Sequence, residues 1–247
     1  KQGKTEHRFT VFEDGGSFYT FPYHLATDNE WMRGSPLYTK SYKKEAQGYT
    51  LIREVINNYN YDGYINTPYH LMNPISSTDE IYRTDRTGHI TSFILFYDPD
   101  GTPGGPNAHN EFKTFYLTGG TMHLASTEEI AYDGNFALHN KTFFTYDYSR
   151  HYQTKETKHI SSSGKETFTK LYYPTDKNDL SGLSINASNA LDIMETGQIA
   201  TKVQREVTTK NAQGTVLSHS VTRTDFKDWG NNVLMPELVK TAKNNGT

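Results

Sequence analysis

The chain of 247 residues contains no cysteine. That excludes disulfides, thiolate zinc sites and cysteine nucleophiles, and leaves the compartment open. It lacks any apolar run near the roughly 18 residues that a membrane-spanning helix requires. Neither sign of charge dominates: 25 Lys and Arg stand against 28 Asp and Glu, a net charge of −3. The charges are interspersed, so there is no basic stripe of the kind that binds nucleic acid. Apolar residues make up only 34%, short of the roughly 45–50% usual in globular domains. Motifs for catalysis are missing too. There is no Gly-x-Ser-x-Gly elbow, and none of the 10 His falls at a tight ligand spacing. Thr118-Gly-Gly-Thr121 precedes a strand pattern rather than a helix, so it makes a poor phosphate cradle. Glu128 and Glu129 alternate faces of a strand and cannot work as an acid–base pair; they are predicted as exposed edge charge.

What is present is tyrosine: 18 Tyr beside 13 Phe. A tyrosine ring covers a core while its hydroxyl stays wet, which suits a thin sheet with one exposed face. The densest stretch, Thr142 to Asp176, predicts two long strands around one loop. Phe144, Tyr146, Tyr148, Tyr152 and Ile160 share one parity, which predicts a packed face. Asp147, Ser149, His151, Gln153, Lys155, Thr157 and His159 share the other, predicted wet. Ser161 to Gly164 supply a turn, and Pro174 closes the return strand.

Similar patterns recur along the chain. Strands are predicted near 37–42, 49–61, 89–97, 111–117, 121–132, 198–209, 215–226 and 237–242, with a first hairpin around Asp14-Gly15-Gly16 and a short strand at 81–83. Trp31 is predicted as a core anchor. The segment 184–196 is the one convincing helix, with Asn186 or Ser188 as its cap and Gly197 as its end. The fold class is therefore all-β, built from consecutive antiparallel hairpins stacked into an extended or curved sheet, with one short helix near 185–196. Residues 1–176 form a hairpin array, 177–197 a polar connector with the helix, and 198–247 the continuation of the array. The ends predict an excerpt of a longer polypeptide.

Three turns share a form: Asp85-x-x-Gly88, Tyr97-Asp98-x-x-Gly101 and Asn211-x-x-Gly214. Tyr132-Asp133-Gly134 and Tyr146-Asp147 are partial relatives. In each, Asp or Asn folds over the turn backbone and Gly takes the left-handed conformation. Around them stand Trp31-Met-Arg-Gly34, Tyr172-Tyr173-Pro174-Thr-Asp176 and Trp229-Gly230-Asn-Asn-Val-Leu-Met-Pro-Glu237. The ordered set resembles the RHS/YD-repeat family, and within it the large secreted or surface proteins of bacteria with type IX secretion. The departures are variable repeat length, Thr84 where a Tyr is usual before Asp85, and the Pro/Gly-rich loop after Asp98.

The resemblance implies a non-enzymatic structural segment, secreted or on the bacterial surface, whose sheet encloses or presents another part of the polypeptide. It implies flanking repeats as partners, and an enclosed C-terminal effector. The rival readings are a glycan- or surface-binding adhesin module, resting on two or three coplanar exposed aromatics, and, behind it, a hydrolase. No catalytic residue, cofactor or metal site is predicted. Asp98 and Asp100 offer oxygen ligands but lack the later bidentate Glu of a calcium loop. The polar cluster around His109 could form a metal or ligand rim.

Overall fold

The computed structural model describes residues 3–11, 30–61, 89–97, 110–118 and 122–245, with the backbone alone at 30, 61, 89–97, 110–118 and 245. Asp85, Gly88, Asp98, Asp100, Gly101 and His109, and with them two of the three repeat turns, lie outside the described residues, as do the hairpin at 14–16 and the strand at 81–83. Tyr97 ends a described strand.

The chain is mostly β, in one ten-stranded antiparallel sheet and a separate two-stranded one. The strands are β1 (Gly3–Phe9), β2 (Pro36–Glu45), β3 (Gly48–Tyr61), β4 (His89–Tyr97), β5 (Asn110–Thr118), β6 (Met122–Asp133), β7 (Phe136–Tyr146), β8 (Thr154–Ile160), β9 (Glu166–Tyr172), β10 (Gln204–Lys210), β11 (Val216–Asp228) and β12 (Leu234–Asn245). The large sheet runs β1-β2-β3-β6 and then in chain order to β12, while β4 pairs with β5. Helix α1 (Ile185–Thr196) follows a 3-10 turn at Pro174–Asp179, and an earlier 3-10 turn spans Glu30–Met32.

By packing, the chain divides into two units: Lys1–Lys4, Lys40–Ile56 and Ala125–Thr247 in one, Thr5–Thr39 and Asn57–Leu124 in the other. In the second, the Trp31-Met-Arg-Gly34 segment is a 3-10 turn tied to β1. Thr10 N donates to Ser35 O at 2.8 Å, and Ser35 N donates back to Thr10 Oγ1 at 3.0 Å. Gly34, at φ 78, lets the chain turn there. The fully buried residue of the turn is Met32, and Trp31 is half-buried, so the predicted anchor sits one residue later.

In the first unit the stretch from 142 to 176 is not two strands but three. β7 stops at Tyr146, residues 147–153 form a loop, and β8 starts at Thr154. The reason is Asp147, whose Oδ1 accepts from the Ser149 and Arg150 amides and from the Ser149 hydroxyl at 2.6 Å. These bonds offer the backbone a better partner than a strand ladder does. The alternation therefore fails in the loop: Asp147 is buried, and Ser149 and Tyr152 are both exposed.

Beyond Tyr172 the chain leaves the sheet to build a cap over one face. Pro174 opens the 3-10 turn, where its missing N–H costs nothing. Ser184 caps α1 by accepting from Ala187 N at 3.1 Å, in place of Asn186 or Ser188. Ala187, Ala190, Leu191 and Met194 make the buried stripe of the helix. Leu191 and Met194 pack with Leu180 and Val203, against Tyr172, Phe226 and Leu234 of the sheet.

Candidate functional site: a cap clamped by buried charge

The register of the sheet places the charges beneath the cap. Tyr172 lies opposite Gln204, Gln204 opposite Arg223, and Arg223 opposite Lys240. Directly paired residues share a face, so one row carries a phenol, an amide and two cations across four strands. Asp225, two residues beyond Arg223, shares that face. Its carboxylate contacts Arg223 Nε at 2.8 Å and Lys240 Nζ at 2.6 Å. Arg223 then turns its remaining donors upward, to the carbonyls of Ser181 and, at 2.9 Å, Gly182. A buried guanidinium needs its charge met; here a buried carboxylate meets the charge and the cap's own backbone takes the two terminal nitrogens, while Nε has no hydrogen-bond partner.

A second cluster clamps the other end of the cap. Asp176 is buried in the 3-10 turn. Its Oδ2 accepts from the Tyr173 amide at 2.9 Å, and its Oδ1 from Arg150 at 2.8 Å. Arg150 also reaches Asp179 at 3.4 Å. Those two carboxylates, Asp179 foremost, hold the Arg150 guanidinium even more firmly charged than usual. His151 packs its ring 4.3 Å from that of Tyr173, and its side chain is 5% exposed. Asp147 meets Lys155 at 3.5 Å. The hydrogen bonds from Ser149 hold its carboxyl at about 2, against 3.8 for the free group. Burial, with Glu206 beside it, pushes the Tyr172 phenol up to about 12.

Asp147, His151 and Asp176 each offer one atom within 4.8 Å of the others, the spacing of a metal site. The hydrogen bonds argue against that use. His151 Nδ1 accepts from the Gln153 amide at 3.0 Å, so in the neutral ring the proton sits on Nε2. A protonated nitrogen cannot ligate. It points instead at Asp176 Oδ2, 3.5 Å away. Both Asp147 oxygens and both Asp176 oxygens already face protein donors. Of the two ring nitrogens only Nδ1 is hydrogen-bonded; Nε2 is buried without a hydrogen-bond partner. The cluster is a cross-link between the 147–153 loop and the cap.

Of the repeat positions, Tyr146, Asp147, Tyr173 and Pro174 are brought together here. Tyr173 donates its hydroxyl to Thr154 O at 3.1 Å, and Pro174 is fully buried. Trp229 and Gly230 are elsewhere, in the β11–β12 turn, where Trp229 N donates to Val233 O and Lys227 lies over the exposed indole. Arg150, Arg223 and Asp225 were not singled out from the sequence; Asp176 entered only as the close of the Tyr-Tyr-Pro motif, and His151, predicted wet, has its side chain buried. Glu128 and Glu129 are not edge charge. Their strand, β6, lies between β3 and β7, and they pair with His139 and Lys141, and with Arg53. No helix among the described residues is long and apolar enough to cross a membrane.

No family model and no curated protein matches the chain. Among solved structures, the crystal structure of a protein of unknown function from Bacteroides fragilis is similar over 62% of this chain and 93% of its own. The identity is 9% and the TM-score 0.14, and so low a likeness says nothing about fold or function.

Proposed function

We propose that this chain is a non-enzymatic structural segment of a large secreted or surface YD-repeat protein of bacteria, related to the RHS family. It contributes a β-sheet scaffold that encloses or presents another part of the polypeptide, and its partners are flanking hairpins and the enclosed effector. The observation that supports this is the strand order: from β6 to β12 every strand pairs antiparallel with the next in the chain. A sheet ordered that way extends by adding hairpins at its edge. β12 forms that edge, with Leu238 and Val239, on opposite faces, both at least half exposed. Pro236 and Lys243 stand towards its two ends as guards against unwanted pairing, and the apolar middle stays open. A strand apolar on both faces is suited to a sheet covered on both sides. The coplanar aromatics on which the adhesin reading would rest find no support in Tyr146, Tyr148 and Tyr152. Their successive rings are tilted by 36° and then edge-on at 76°.

The lack of any cysteine makes a clean test. Val239→Cys supplies the one thiol of this segment, in the middle of β12. In the producing cell its alkylation is expected to be blocked by the adjoining strand, and in the isolated chain to be fast. Equally fast labelling in both would overturn the scaffold reading.

A further inference from the structure

The edge strand β12 leaves one row of the sheet short of a negative charge. Lys240 lies opposite Arg223, and the two cations share one carboxylate, that of Asp225. Its Oδ1 meets Arg223 Nε at 2.8 Å and its Oδ2 meets Lys240 Nζ at 2.6 Å, so both oxygens are engaged. Glu206, the next acid on that face, turns instead to Gln204, whose Nε2 donates to it at 2.8 Å. The trio therefore carries one positive charge in excess. Burial divides it unequally. The Asp225 and Arg223 side chains are 3% and 10% exposed, while Lys240 keeps 43%. Water at the open edge is what solvates the surplus.

The same stretch of edge is apolar on both faces. Leu238 lies opposite Asp225 and Val239 opposite Thr224, and both are at least half exposed. An edge lysine ordinarily discourages pairing by holding its ammonium in water beyond the strand. Lys240 points the other way, inward across its own strand pair to Asp225. A strand laid on β12 covers Leu238 and Val239, and it takes the water from Lys240. An ammonium that loses water without gaining a counter-ion costs more than apolar cross-strand pairs return. The incoming strand must therefore bring a carboxylate at that position. Its order follows from antiparallel pairing, the arrangement of the large sheet: the residue opposite Lys240 precedes the one opposite Val239, which precedes the one opposite Leu238.

We propose that β12 accepts an antiparallel strand reading acid–apolar–apolar, its carboxylate on Lys240 and its two apolar side chains against Val239 and Leu238. The strand belongs to a flanking hairpin of the same polypeptide, which rests on the scaffold reading. The sequence requirement itself is set by the charges of Arg223, Asp225 and Lys240.

The test extends the full chain beyond Thr247 with a Gly/Ser linker and one strand, Thr-Thr-X-Val-Val-Thr-Thr, in which X is Glu, Gln or Lys. The linker makes pairing intramolecular, so that a weak contact is still read. Hydrogen exchange of the β12 amides is the measure. With Glu it should slow about 5-fold more than with Gln, the upper range for a cross-strand ion pair, and with Lys it should not slow. Lys240→Gln leaves Asp225 to Arg223; it should remove the preference for Glu over Gln while both strands still dock. Equal slowing by Glu, Gln and Lys, or a preference kept in Lys240→Gln, overturns the charge requirement. No slowing by any of the three overturns the docking of a strand here. Slowing that grows with concentration in the unextended chain overturns it in favour of a second copy. The scaffold reading is judged separately, by Val239→Cys labelling in the producing cell.

Discussion

A capped and a bare part of the same sheet differ in how they are made stable. Under the cap, Leu180, Leu191, Met194 and Val203 are buried, and the ions beside them are paired. At the β6–β7 turn, on other strands of the sheet, Phe136 is 77% exposed and Leu138 more than half exposed. Both parts have equally regular antiparallel ladders. Ladder hydrogen bonds exchange water for protein partners at small net gain, so the ladder does not distinguish the two. The distinction lies in the second layer, a helix and a 3-10 turn that exclude water from one face of the sheet.

The comparison is broken most directly with two truncations. Leu191→Ala removes a side chain that is 2% exposed in the middle of the cap core, and should cost about 3 kcal/mol in urea unfolding. Phe136→Ala removes a larger ring from the bare end and should stay within about 0.5 kcal/mol. Similar costs for the two would mean that the cap adds nothing to the sheet beneath it.

Much of this contrast was legible in the sequence, and the failures share one cause. The sequence pattern correctly marked β3, β4 and β6. It misassigned residues 147–153, where the alternation continues through Tyr148 and Tyr152 although Asp147 has already bent the chain. Residues 177–197 were legible as a polar connector with a helix, but the burial of Asp176 was not. It depends on Arg150, 26 positions earlier, and no local pattern carries that pairing. Ser184 was passed over as the helix cap because Asn186 and Ser188 are equally good by type. The three residues differ only in where the preceding turn delivers the chain.

A milder perturbation sharpens the comparison at low pH. The Asp147 carboxyl titrates at about 2 in the fold and at 3.8 as a free group. The unfolded chain therefore takes up this proton first as pH falls. The contribution of Asp147 to stability is complete above 3.8, is lost as pH drops towards about 2, and is absent below that. Asp147→Asn should start less stable at neutral pH and lose less on acidification, with urea midpoints measured at steps through that window. An unchanged acid slope in the variant would show that the 147–153 loop does not rely on the charge.

The smallest effect belongs to the bare sheet. Arg53 and Glu129 meet at 2.7 Å across β3 and β6, with both side chains more than 40% exposed. Water already solvates both groups, and holding two long side chains in one geometry offsets most of the attraction. A double-mutant cycle with Arg53→Ala and Glu129→Ala should give a coupling of about 0.5 kcal/mol. It should fall further between low and physiological salt, as screening of an exposed pair requires. The Arg223–Asp225 contact under the cap, closed off from solvent, should keep its coupling over the same salt range. Equal salt sensitivity in the two pairs would show that solvent reaches beneath the cap, and that helix α1 screens those charges no better than open sheet does.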